Sequence, residues 1–224
     1  MKPIFIAGTD TGAGKTIVAG ALASALRIKG LKTGVMKPVS CGGTDDIEFL
    51  MRCAGIREPL DIVNPIALKN PLSPNVAASF EHVKIDLKKI DTALRILRKK
   101  YEVIVIEGCG GLLVPIREDY FVIDLIKRMN AQAILVSRAR LGAINHSLLS
   151  LEALKKRKII PAGVIFNRLN GGPLSIPEKT NPAVVFKISG TPSLGLFPYM
   201  KLDCNAGCFG KAFLKHIDFK KILC

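Results

Sequence analysis

The chain is short of aromatic residues and of acids. It has no tryptophan, three tyrosines and ten phenylalanines in 224 residues. Its basic stretches carry no interleaved aromatics on which bases could stack, so the usual signature of a nucleic-acid binder is missing. No apolar run reaches the eighteen or so residues of a bilayer span. Met1-Lys2-Pro3 leads into an apolar run that turns polar too soon for a secretory signal. The expected location is therefore the cytoplasm, with neither membrane nor nucleic acid as partner. Six cysteines (Cys41, Cys53, Cys109, Cys204, Cys208, Cys224) include no C-x-x-C pair. Cys204 and Cys208, with His216 and Cys224 beyond, miss the usual zinc spacings, so reduced thiols are the expectation. There are no internal repeats, low-complexity segments or linkers.

Acids number 18 against 33 lysines and arginines, a formal charge of +15. The basic runs Arg98-Lys99-Lys100 and Lys155-Lys156-Arg157-Lys158 fall at predicted helix ends, where cations complement the helix dipole. A solvated basic surface that attracts anionic substrates accounts for them. Hydrophobic residues make up 49%, which excludes a disordered chain. The length suits a single domain over residues 1–224 with a substantial core.

The most informative stretch lies near the start. An apolar run, Ile4-Phe5-Ile6-Ala7, enters Gly8-Thr9-Asp10-Thr11-Gly12-Ala13-Gly14-Lys15-Thr16, and a helical pattern follows from Ile17. Strand, glycine-rich turn, Gly-Lys-Thr and helix together make a phosphate-binding loop. Its backbone N–H groups and the helix N-terminus attract phosphate oxygens. Lys15 can reach β- and γ-phosphates, and the Thr16 hydroxyl suits Mg²⁺. The position where G-x-x-x-x-G-K-T has its first glycine is Thr9, and Gly8 comes one residue early, so this loop is one residue longer than the general pattern.

Strands and helices then alternate. Strands are predicted over 3–7, 32–36, 102–106, 133–137, 160–166 and 191–197. Helices are predicted over 15–29, from Asp45 (a plausible N-cap), over 85–100, over 121–129, and from the Leu141-Gly142 turn to about Lys155. Residues 59–75 read as a long irregular connection rich in Pro and Asn, and 205–224 carries a weak helical pattern. This order predicts an α/β, three-layer P-loop NTPase fold, its mostly parallel central sheet flanked by helices. Three strand ends carry polar groups: Thr11 to Thr16, Lys37 and Glu107. In a parallel sheet these share one rim. Glu107 at a strand end is the candidate Mg²⁺ ligand, and Asp46 a second. The position five before the loop lysine, where ParA/MinD-type ATPases carry a further lysine, is Asp10. That argues against a positioning ATPase.

The ordered motifs resemble the dethiobiotin synthetase family of the biotin pathway. They are Gly8-Thr9-Asp10-Thr11 with Gly14-Lys15-Thr16, Lys37-Pro38-Val39, Asn64-Pro65, Ser73-Pro74, Glu107-Gly108 with Gly110-Gly111-Leu112-Leu113-Val114-Pro115, Leu141-Gly142 with Ile144-Asn145-His146, Asn167-Arg168, and Leu194-Gly195 with Pro198. The longer phosphate loop is itself a feature of that family. The resemblance implies an ATP-dependent ring closure of 7,8-diaminononanoate with CO₂, through a carbamate and a carbamic-phosphoric anhydride. ATP is then the co-substrate, Mg²⁺ the cofactor, and the protein a homodimer.

By resemblance, Lys15, Lys37 and Thr11 serve catalysis, and Thr16, Asp46 and Glu107 hold Mg²⁺. Nucleotide binding falls to Gly12, Ala13, Gly14, Lys15, Thr16, Ile17, Asp46, Glu107, Gly108, Cys109, Gly110, Asn167, Arg168, Pro198, Tyr199 and Met200. Substrate binding falls to Thr11, Lys37, Ser40, Cys41, Leu141, Gly142 and Asn145, the stretch 141–147 also meeting the partner subunit. Three positions depart from the family: Gly12 stands where Glu is frequent, Cys41 where a substrate-contacting Ser is usual, and Asn75 where His is frequent. A thiol is the poorer hydrogen-bond donor, and the adjacent Ser40 is a candidate to compensate. Residues 169–190 match the family poorly. Two other readings stand beside this one. One is an amidoligase of the cobyrinate-synthase type, which normally carries a fused glutamine-handling domain. The other is a nucleotide-switched binding protein without turnover.

Overall fold

The β-branched run Val103-Ile104-Val105-Ile106 cannot present a polar face, so it is stable only when covered on both sides. In the computed structural model, which describes residues 1–223, it forms the inner part of a six-stranded parallel sheet. In chain order the elements begin β1 (Ile4–Gly8), α1 (Lys15–Ile28), β2 (Thr33–Met36), β3 (Val39–Cys41) and α2 (Asp45–Ala54). There follow α3 (Leu60–Val63), β4 (Ile66–Leu68), α4 (Pro74–Phe80), α5 (Leu87–Lys100) and β5 (Val103–Gly111). Next come β6 (Pro115–Arg117), β7 (Tyr120–Phe121), α6 (Val122–Arg128), β8 (Gln132–Arg138) and α7 (Ala143–Lys156). The chain continues with β9 (Gly163–Asn167), α8 (Ile176–Ser189), β10 (Ser193–Phe197), α9 (Ala206–His216) and a 3₁₀ turn, Phe219–Ile222.

The sheet order is β10-β9-β8-β1-β5-β2, with every pairing parallel. The order reverses around β1, which lies between β5 and β8, so the crevice for a ligand opens at the C-terminal end of β1. Helix α1 is buried along nearly its whole length. Its alanines let it lie close to the sheet on one side and to α9 on the other, where Ser24 donates to the Ala206 carbonyl at 2.7 Å. Phe209 of α9 meets Phe49 of α2 edge-on, with ring centroids 5.2 Å apart. Helix α5 is capped by Asp86, whose carboxylate accepts from the Lys88 N–H at 2.9 Å, and it buries Ile90, Ala93, Leu94 and Leu97.

Every predicted strand and helix is present within a few residues, and three local expectations change. Thr44, not Asp45, occupies the N-cap of α2, and Asp45 is its first helical residue. Strand β5 continues to Gly111, so Glu107 lies inside the strand, paired with Ile6, rather than after it. Residues 59–75 are not an irregular connection. They hold α3, β4 and the start of α4, and β4 pairs in parallel with β3. Prolines obscured this because each short element begins or ends at one. Cys204 and Cys208 carry free thiols, and Cys224 lies outside the described residues. No helix of the described residues is long and apolar enough to cross a membrane.

Candidate active site

The glycine-rich turn after β1 wraps the start of α1. Lys15 folds back over it and donates from Nζ to the Asp10 carbonyl at 3.1 Å. A Cβ at position 8 would lie 2.8 Å from Lys15 Nζ, so the early glycine makes room for the lysine. Burial holds the Lys15 ammonium below its ordinary pKa.

Lys37 stands at the end of β2, and its backbone is fixed from both sides. Its N–H donates to the Val63 carbonyl at 2.7 Å, and its carbonyl accepts from Asn64 Nδ2 at 2.7 Å. Asn64 also accepts from the Ser40 hydroxyl at 2.8 Å. The Lys37 ammonium pairs with Asp46 of α2 and lies 3.1 Å from Glu107 Oε1. Burial alone would pull its pKa down, but Glu107 and Asp46 together hold it above its ordinary value. For Asp46 burial acts upward, and the adjacent Lys37 outweighs it, leaving the carboxyl below its ordinary value. Glu107 is 1% exposed, and burial pushes its pKa up against the pull of Lys37.

Three oxygens converge here. Thr16 Oγ1 lies 2.8 Å from Glu107 Oε1 and 3.0 Å from Asp46 Oδ1. One hydroxyl has a single proton to offer two carboxylates. Glu107 Oε2 is buried with no hydrogen-bond partner among the described residues. Adjacent ligands of an octahedral Mg²⁺ at about 2.1 Å stand about 3 Å apart, which is the separation of the Thr16 hydroxyl from each carboxylate oxygen, so these hard oxygen donors suit that ion.

These groups line a cavity of about 580 Å³ with Thr11, Gly12, Gly14, Ser40, Cys41, Gly108, Cys109 and Gly110. The Cys41 thiol, raised by burial to about 12, stays protonated. Ser40 beside it lines the same cavity, and its hydroxyl donates to Asn64 Oδ1 at 2.8 Å. The Ser73-Pro74 step at the head of α4, with Pro71 and Leu72, forms the far wall. Sequence reasoning singled out Ser73-Pro74 as a motif but gave it no role in the site. Asn64 it treated likewise, and its function becomes visible only once β3 and β4 pair.

The predicted base-contacting residues lie on the other side of the loop. Asn167, at the end of β9, donates to the Ala13 carbonyl at 3.1 Å, and its own Oδ1 is buried without a partner among the described residues. Arg168 is engaged by Glu178 at 2.7 Å and by the Gly172 carbonyl at 2.9 Å. Tyr199 is exposed beside the half-buried Pro198 and Met200, and its ring lies near Gly171. Ala13 is buried and Ile17 half-buried on the core side of the loop. Leu141, Gly142 and Asn145 are exposed around the N-terminus of α7 and do not line the cavity.

Residues 2–204 match the family model described as an AAA domain. The chain is 41% identical to the ATP-dependent dethiobiotin synthetase BioD of Thermodesulfovibrio yellowstonii, an alignment covering 98% of this chain and 97% of that protein. The chain belongs to the AAA-domain family and, within it, to the dethiobiotin synthetases. The relative from Methanocaldococcus jannaschii is 45% identical over 73% of this chain and 78% of its own length. That from Nitrosopumilus maritimus is 34% identical over the whole of both. Among solved structures, the septum site-determining protein MinD complexed with Mg-ADP from Pyrococcus horikoshii superposes with a TM-score of 0.60 at 20% identity. It covers 96% of this chain and 93% of its own, a likeness of fold alone.

Proposed function

We propose that this chain is an ATP-dependent dethiobiotin synthetase of biotin biosynthesis, closing the ureido ring of dethiobiotin from 7,8-diaminononanoate, CO₂ and ATP. One amine of the substrate attacks CO₂ and loses a proton, forming a carbamate. A carbamate oxygen then attacks the γ-phosphorus as the bond to ADP breaks. The second amine attacks the carbamate carbon, phosphate leaves, and the ring closes. Carbamate and triphosphate are both anions and repel. The observation that carries the reading is the gathering of Lys15, Lys37 and the loop N–H groups around one cavity, where they can hold both anions in line. Holding the reactants together can contribute up to about 7–11 kcal/mol of the barrier.

In this reading Thr16, Asp46 and Glu107 hold Mg²⁺, which supplies charge neutralisation at the phosphates when bound. Thr11, Lys37 and Cys41 face the carbamate end of the substrate. Asn167 offers its unpartnered Oδ1 to the base, flanked by Arg168 and the 198–200 segment. The exposed Leu141, Gly142 and Asn145 receive the substrate's carboxylate tail across a homodimer contact, where the N-terminus of α7 suits an anion. The chain works as one catalytic domain in the cytoplasm.

Incubation with MgATP, bicarbonate and the diamine should yield dethiobiotin by mass, with one ADP per ring closed. ATP that binds without product formation would count against this reading.

A further inference from the structure

Arg138, the last residue of β8, grips the phosphate loop from behind. Its Nε donates to the Gly12 carbonyl at 2.9 Å, and its Nη2 donates to the Thr11 carbonyl at 2.7 Å. These two residues lie in the loop that is one residue longer than the general pattern. The extra length would leave that segment free to turn over, and glycine at 12 adds freedom.

A planar trans peptide points its C=O and the next residue's N–H in opposite directions. With the Thr11 and Gly12 carbonyls held toward β8, the N–H groups of Gly12 and Ala13 face the opposite way. Gly12, Gly14 and Lys15 line the cavity there. Gly12 has φ +69, and a Cβ on it would collide with Arg138 Nη2. Glycine at 12 and arginine at 138 are therefore a matched pair, the guanidinium filling the space that a side chain on the loop would need. The planar fork suits two adjacent carbonyls, a task the single ammonium of lysine performs poorly.

We infer that Arg138 is a positioning residue that pre-orients the phosphate-binding N–H groups of the lengthened loop through the Thr11 and Gly12 carbonyls. It is not among the residues that line the cavity. The inference rests on the nucleotide site proposed above, and its test separates the two.

A fluorescent ADP analogue is titrated, with Mg²⁺, into the full chain and into R138A, R138K and G12A. Melting temperatures are recorded alongside. R138A should weaken ADP binding by roughly tenfold or more, the scale of a lost charge-assisted hydrogen bond. Its melting temperature should stay within a few degrees. R138K should recover little of the affinity, because the charge returns without the fork. G12A should weaken binding as well, through strain at φ +69 together with any displacement of the guanidinium. ADP binding by R138A at the level of the unmodified chain would overturn the inference. So would full recovery in R138K, which would mean charge alone. Should R138A fail to fold, R138K still decides between these outcomes. A chain whose ADP affinity depends on Arg138 but that makes no dethiobiotin would refute the proposed reaction and leave this assignment standing.

Discussion

Lys37 Nζ sits 3.1 Å from Glu107 Oε1, with both side chains closed off from solvent. A lysine so placed is held by acids on one side and open to the cavity on the other. Truncating one member of such a buried pair leaves the other uncompensated, at roughly 3–5 kcal/mol. Lys37→Ala should therefore lower the melting temperature and cut dethiobiotin formation by roughly a hundredfold or more, the scale of a lost charge-stabilising donor. ATP should still bind through the phosphate loop. Single-turnover product assays beside nucleotide titration check this. Near-normal ring closure would remove Lys37 from the mechanism, and ATPase activity indifferent to the diamine would favour a nucleotide switch.

Asn64 ties Lys37 to Ser40. Asn64→Leu keeps the volume but leaves the Lys37 carbonyl and the Ser40 hydroxyl without their partner. Each buried orphan costs roughly 1–3 kcal/mol. Denaturant titration should show that loss. Steady-state kinetics should show lower kcat with an unchanged KM for ATP, since the nucleotide loop is untouched. A KM change for ATP as large as the kcat change would contradict this division.

Glu178 gives the expected acid response. Its hydrogen bond from Arg168 and those from Ser175 hold its pKa down to about 2, against an ordinary 4.5. A carboxylate depressed in the folded state contributes stability above its unfolded pKa and loses it as pH falls through the folded value. Stability should thus decline between about pH 4.5 and 2 through this group. Glu178→Gln should be less stable than the unmodified chain at pH 7, with the gap closing in that acid window. Thermal melts across the range test it, and a gap constant with pH would exclude the linkage.

Gly210 lets α9 lie on α1. A Cβ there would come 2.5 Å from Ser24 Oγ and 2.8 Å from the Ser24 main chain. Gly210→Ala should destabilise by about 1–3 kcal/mol, the usual cost of overpacking, while turnover per folded molecule stays unchanged. Chemical denaturation and active-site titration give the two numbers. Unchanged stability would mean that the two helices slide apart freely.

The legible parts of this molecule were those with strong local causes. Phosphate-loop spacing, the unbroken β-branched runs and the helical period of α5 each act within a few residues, so each could be read directly. Residues 59–75 were harder because β3 and β4 are too short to declare themselves, and only their mutual pairing makes them strands. Glu107 was recognised by type and position, but its place inside β5 depended on hydrogen bonds to β1. Arg138 looked like one more cation in a chain rich in them. Nothing in its neighbours signalled that it reaches residues 126 and 127 positions away.

By itself, then, the order of residues determined which of the longer elements form, that they alternate into a parallel sheet, and which polar groups end up along one rim. Tertiary structure alone decided that Lys37 would be shared between Asp46 and Glu107, that Asn64 would hold it, and that Arg138 would fasten the loop. The reason is physical: hydrophobic period and turn chemistry are short-range properties written in neighbouring residues. A buried charge or an oriented carbonyl depends instead on distant groups that meet only when the sheet closes and water is excluded.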